Sequence, residues 1–129
     1  RDGGIAGPWG IAIDGDDNVW VTDFQAGSLV NLCGVRRGNC PRGLVAGEAI
    51  SPPAGYDGGG ALQHVTDVAI DSSGNVWVLN NVNDLESCLR MHEEGCMQVS
   101  TECAGDGVVV FYGLAAPVKT PQIGPPQQP

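Results

Sequence analysis

One stretch of this chain occurs twice, and that repetition constrains its fold more than any other feature. Residues 11–23 read Ile-Ala-Ile-Asp-Gly-Asp-Asp-Asn-Val-Trp-Val-Thr-Asp, and residues 68–80 read Val-Ala-Ile-Asp-Ser-Ser-Gly-Asn-Val-Trp-Val-Leu-Asn. The copies align without a gap at an offset of 57, Trp20 on Trp77, and seven of thirteen positions are identical. Self-similarity at a fixed offset means one supersecondary unit used more than once. Each copy has the chemistry of a β-hairpin. A β-branched strand ends in Asp, three turn-type residues and an Asn follow, and a Val-Trp-Val strand returns. Asp and Asn suit the turn because their side chains bond nearby backbone and tolerate positive φ. The strands are apolar on both faces rather than alternating, so each sheet needs cover on both sides.

A third strand is predicted after each hairpin, over 28–32 in the first copy and 108–112 in the second. A fourth, outer strand is predicted over 44–50. The second copy carries an insertion at 82–104 that holds three of the five cysteines. Gly (20) and Pro (9) punctuate the chain, and charged residues make up 16% against the roughly 25% of ordinary globular chains. Such punctuation favours short strands over long helices. The fold class expected is therefore all-β.

The pattern Gly7-Pro8-Trp9-Gly10 running into Ile11 to Asp14, with Asn18-Val19-Trp20-Val21-Thr22-Asp23, resembles the NHL-repeat signature. The same pattern recurs in streptogramin-lyase-like and gluconolactonase-like β-propellers. The resemblance covers residues 7–33 and 64–112. It implies a partial propeller of about two four-stranded antiparallel blades over 1–116, with a short helical or loop insertion, followed by a Pro-rich extended tail over 117–129. Propellers close with four to eight blades. The chain opens at Arg1 rather than Met and reads as a processed or excised segment. It is expected to be the C-terminal part of a longer propeller, or a unit whose copies associate to complete the ring. The remaining blades or further copies of itself are thus its first expected partners.

The net charge of −9 sets this surface against nucleic acid and anionic lipid. No apolar run reaches the length of about 18 residues that a spanning helix needs. Cys33, Cys40, Cys88, Cys96 and Cys103 form no Cys-x-x-Cys pair and lie in Gly, Pro and polar segments. That placement suits disulfides pinning loops and an oxidising compartment, extracellular or periplasmic. Cys33 and Cys40 are expected to close a small loop, a constraint that contributes about 2 kcal/mol.

Several groups are candidates for a site. Asp14, Asp16 and Asn18 have the ligand spacing of a calcium loop, yet Val19 stands where that loop needs Gly and Gln25 where it needs a bidentate Glu. A plain hairpin turn is the simpler reading. Cys88, His92 and Cys96 are spaced by four and share a face if 84–94 is a short helix. With Cys103 they would complete a Cys3His zinc site. The alternative is a disulfide from Cys88 or Cys96 to Cys103. His64 precedes the inner strand of the second copy, where a propeller channel would lie, with Asp67, Asp23 and Asn80 as companions. In the families resembled, a channel histidine acts as base beside magnesium, or acid and amide groups hold a divalent ion. His64 is accordingly the candidate catalytic residue, Asp23, Asp67 and Asn80 are candidate ligand-binding residues, and calcium or magnesium is the cofactor such a site would take. No motif beyond the repeat matches those families residue by residue. A structural His and turn-capping Asp and Asn are the competing readings. Trp20 and Trp77 at equivalent places argue for packing between units.

Two function classes follow. One is a binding or scaffold module engaging a protein, glycan or small ligand; the other is a metal-assisted lyase or lactonase. Thiol counting on denatured, unreduced chain separates the two fates of the cysteines. One free thiol is expected for a disulfide-stapled chain, whereas three or more would favour zinc.

Overall fold

The computed structural model describes residues 4–82 and 107–118. It is all-β: β1 (Pro8–Ile13), β2 (Val19–Asp23) and β3 (Ser28–Leu32) make one sheet, and β4 (His64–Ile70), β5 (Val76–Val82) and β6 (Gly107–Phe111) make a second. Both sheets are antiparallel, in the orders β1-β2-β3 and β4-β5-β6. One 3₁₀ turn, Arg37–Asn39, is the only helical element among the described residues. The third strands lie at 28–32, as expected, and one residue earlier than expected at 107–111.

The two hairpin turns are built alike. In the first, the amide of Asp17 donates to Asp14 O at 3.0 Å and that of Asp14 to Asn18 O at 3.0 Å. In the second, Gly74 donates to Asp71 O at 3.0 Å and Asp71 to Asn75 O at 3.1 Å. The residue before the Asn is left-handed in both, Asp17 at φ 72° and Gly74 at φ 81°. A type I turn closed by a left-handed residue is a standard three-residue hairpin loop. Asp is one of the few side chains that accept this conformation in place of Gly.

The expected fourth strand at 44–50 is not formed. The chain instead touches β3 through two isolated bridges, Leu32 to Ala49 and Leu29 to Tyr56. The amides of Ile50 and Ser51 both converge on Asn31 O, so the ladder loses its regular register there. Pro52 and Pro53 follow and can donate nothing to a ladder. The sheets are therefore three-stranded rather than four-stranded among the described residues. The short helix expected at 84–94 falls outside them.

The core lies between the sheets. Pairing of Ala12 with Trp20, and of Trp20 with Asn31, puts Trp20 and Leu29 on the face of the first sheet that meets the second. They pack with Val65, Val68, Val76 and Val78, all buried. Tyr56 stacks on Trp20 at 6.1 Å and lies 6.3 Å from Phe111. The strand β4 packs against β1 and β2. Gly10 makes that approach possible: a Cβ there would lie 2.8 Å from Asp67 Cα and 2.8 Å from Thr66 O. After β6 the chain straps the two hairpin turns together, Gly15 donating to Ala116 O at 3.1 Å and Ala115 to Gly74 O at 3.0 Å.

Gly10→Ala must force β1 away from β4 backbone, which cannot yield as a side-chain tip can. A loss of about 1–3 kcal/mol is expected, the usual cost of overpacking. Chemical denaturation checks it, and an unchanged midpoint would show that the sheets do not meet at Gly10.

Candidate functional site

Asp14 and Asp71, equivalent in the two repeats, each hold a tryptophan. Asp14 Oδ1 accepts the amides of Asp16 and Asn18, both at 2.9 Å, and Oδ2 accepts Trp20 Nε1 at 3.0 Å. Asp71 Oδ1 accepts the amides of Ser73 at 2.8 Å and Asn75 at 3.0 Å, and Oδ2 accepts Trp77 Nε1 at 3.0 Å. The Asn residues complete the circuit. Asn18 Oδ1 accepts Gly34 N at 3.3 Å, and Asn75 Oδ1 accepts Gly113 N at 2.9 Å. Each Asn thus ties down the residue two past the end of its third strand. The Asp14-Asp16-Asn18 spacing serves this circuit: Asp14 is buried and turned toward its own hairpin amides and indole.

The channel candidates sit at the other end of the same strands. Asp23 is fully buried. Its Oδ2 accepts Ala6 N at 2.6 Å, and its Oδ1 accepts Gly7 N at 2.8 Å and the amides of Gln25 and Ala26 at 3.2 Å each. Asn80 stands at the equivalent place, accepting Gln63 N at 2.9 Å and donating from Nδ2 to Ala61 O at 3.1 Å. Both residues bind the backbone that leads into the neighbouring inner strand. A carboxylate surrounded by backbone amides is satisfied without a cation.

His64 is the first residue of β4, not the one before it. Its Nδ1 lies 3.2 Å from Phe24 O. A carbonyl only accepts, so Nδ1 is the donor in this contact. The ring also lies 4.9 Å from Phe24, which lies 4.8 Å from Trp9. This Trp9–Phe24–His64 row of tilted rings bridges the two sheets and was not anticipated from the sequence. No local pattern links residues 9, 24 and 64; the topology brings them together. Asp67 is exposed and accepts the amide of Val68 at 2.8 Å. Among the described residues no group of three His, Cys, Asp or Glu side chains is placed to hold a metal ion. Cys88, His92, Cys96 and Cys103 lie outside the described residues, and with them both the zinc and the staple readings. Cys33 and Cys40 form a disulfide with their Cα atoms 5.6 Å apart.

The remaining surface of note is apolar. On the first sheet, Ile11 and Ile13 are 66% and 54% exposed. A groove of about 290 Å³ runs beside them, lined by Ile13, Val19, Leu32, Val35 and Ala46. On the second sheet, Trp77, Leu79 and Val108 are 43%, 41% and 53% exposed. These two faces point away from the shared core, on opposite sides of the molecule. The chain matches no family model and none of the curated proteins.

Asp71 carries a testable consequence. Hydrogen bonds from Trp77 and Asn75 hold its carboxyl down from 3.8 to about 2. A carboxyl depressed on folding contributes stability that is complete above its unfolded pKa and is lost as pH falls through the folded one. That loss therefore runs from about pH 4 down to about pH 2. Carboxyl-carbon NMR is expected to place the Asp71 midpoint near 2 and to move it upward in Trp77→Phe. Equal midpoints in the two chains would mean that the indole bond does not exist in solution.

Proposed function

We propose that this chain is a two-blade segment of a β-propeller of the NHL-repeat kind, serving as a binding and scaffold module in an exported protein. The observation that carries the reading is the pair of exposed apolar sheet faces on opposite sides of one core. A contiguous apolar surface of this kind marks an interaction site. The duplicated hairpin, with its Asp, Asn and Trp in equivalent roles, supports repeating blades. The Cys33–Cys40 disulfide supports export. No helix among the described residues is long and apolar enough to cross a membrane.

The chemistry of the channel candidates favours a module over a lyase or lactonase. Asp23 and Asn80 serve as backbone clamps, and the His64 ring is engaged by Phe24. A general base needs its acceptor nitrogen within hydrogen-bond reach of a substrate proton. A Lewis-acid mechanism further needs ligands that converge on an ion.

Two measurements test the reading. The folded chain is expected to enhance anilinonaphthalene sulfonate fluorescence, and Trp77→Asp to cut that enhancement by about half. Lactone hydrolysis with added calcium or magnesium is expected to stay at the buffer rate in the unaltered chain and in His64→Ala alike. Metal-dependent hydrolysis that disappears in His64→Ala would replace the module with the enzyme.

A further inference from the structure

The two exposed faces correspond to the two halves of the interface already buried inside the chain. Shifting by one repeat takes Ile11, Ile13, Val19 and Val21 onto Val68, Ile70, Val76 and Val78. The second set is the face of the second sheet that Trp20 packs against. The same shift takes Trp20 onto Trp77. In the core, Trp20 is fully buried; on the outer face of the second sheet, Trp77 is 43% exposed. Among the described residues the molecule thus carries one covered Trp face and one covered aliphatic face, an exposed copy of the first at Trp77, and a copy of the second that is open at Ile11 and Ile13 while Val21 and Val30 are buried.

This second aliphatic face has a seat of the right kind. Val19 pairs with Leu32 as Val76 pairs with Phe111, so Ile13, Val19 and Leu32 match Ile70, Val76 and Phe111. The latter three belong to the cluster around Trp20. The former three line the groove of about 290 Å³. Its lining also includes Cys33 and Val35, in the loop that the Cys33–Cys40 disulfide closes.

We infer that the Trp77 face of one copy of this chain docks on the Ile11–Ile13 face of a second copy, head to tail, with Trp77 seated in that groove. The inference rests on the binding-module reading, for which it names the partner. The contact is heterologous, since the two patches differ, and it repeats from copy to copy until the rotation closes a ring. One position sets its strength. Asp67 stands where the first repeat has Gly10, the residue whose lack of a Cβ lets β1 meet the backbone of Thr66 and Asp67. The joint between copies is therefore held wider at its inner edge than the joint within a copy, and association is weaker than the internal packing.

Native mass by light scattering, across a roughly hundredfold range of concentration, gives the first reading. A discrete assembly of about two to four copies of the 13.3 kDa chain is expected, as two sheets per copy would give the four to eight units of a closed ring. Val108→Asp, on the Trp77 face, and Ile11→Asp each alter an exposed aliphatic residue and should leave melting within a few degrees of the unaltered chain. Each variant alone is expected to be a monomer, and an equal mixture a one-to-one dimer, because each retains the face the other has lost. Asp67→Gly is expected to tighten association several-fold. Should the aspartate variants fail to fold, Val108→Gln and Ile11→Gln take their place. A monomer at every concentration overturns the inference, as does an assembly that the mixture fails to restore. A monomer that still enhances the dye's fluorescence removes the second copy and leaves the module with a different partner; loss of both signals removes the module as well.

Discussion

The indole of each repeat tryptophan is tied to the aspartate that opens its own hairpin, and most of the architecture depends on that bond. Asp14 and Asp71 use one oxygen on the turn amides and the other on the indole six residues later. The turn is thereby joined to the returning strand, and the tryptophan side is set by the pairings of Ala12 with Trp20 and Ala69 with Trp77. Register follows, since slipping a strand by one residue would send its side chains to the other face. With register set, each sheet has one face carrying its tryptophan and one lined by aliphatic residues. A charge-assisted bond to an indole N–H is also the natural way to place a tryptophan in a core, where its one donor needs a partner.

From that arrangement the packing is directional. The tryptophan face of the first sheet covers the aliphatic face of the second, and the contact can be close because position 10 is glycine. The polar groups at the strand ends then lock the joint. Asp23 and Asn80 hold the chain that enters each inner strand, and Phe24 engages His64 across the seam. These residue types are the ones a catalytic site would use, yet their partners are mostly backbone groups. A buried polar side chain must be hydrogen-bonded, and a fold made of short strands offers many loop amides for it to bind. Buried Asp and Asn at strand ends are for this reason weak evidence of chemistry.

How far the sequence led can be judged from these same residues. The hairpins were legible because both their strands and their turns are local: β-branched runs, an Asp, and a left-handed position filled by Asp17 or Gly74. The third strands were legible for the same reason. The bond from Asp14 to Trp20 was not deduced, although the repetition of both residues at one spacing was its trace. The fourth strand failed because its pairing depends on Asn31 and on the prolines at 52 and 53, not on the apolar run at 44–50. Which faces are covered was beyond reach altogether. Trp20 and Trp77 look identical in sequence, and their burial differs only because one has a sheet against it. Of the site candidates, Asp23 ends β2 as anticipated, whereas His64 opens β4 rather than preceding it and Asn80 lies inside β5, which runs on to Val82; their backbone partners depend on loops whose path no periodicity encodes.

That difference between Trp20 and Trp77 separates two sources of stability. The Asp–Trp bond is the same length in both repeats, so the hairpin circuit forms whether or not the tryptophan is covered. The burial of apolar area is not the same, and burial is the larger contribution, at roughly 25 cal/mol per Å². Each sheet thus specifies its own shape but draws much of its stability from a neighbour, as in other repeat arrays. The two units described share one joint, and Ile11, Ile13, Trp77, Leu79 and Val108 are exposed on the faces turned away from it. Whatever covers these faces adds its binding energy to folding by mass action, so the edge strands β1 and β6 hold more firmly when covered than alone. The strap that joins the turns at Gly15 and Gly74 works against this weakness within the single chain, because it couples the two hairpins without requiring cover on either outer face.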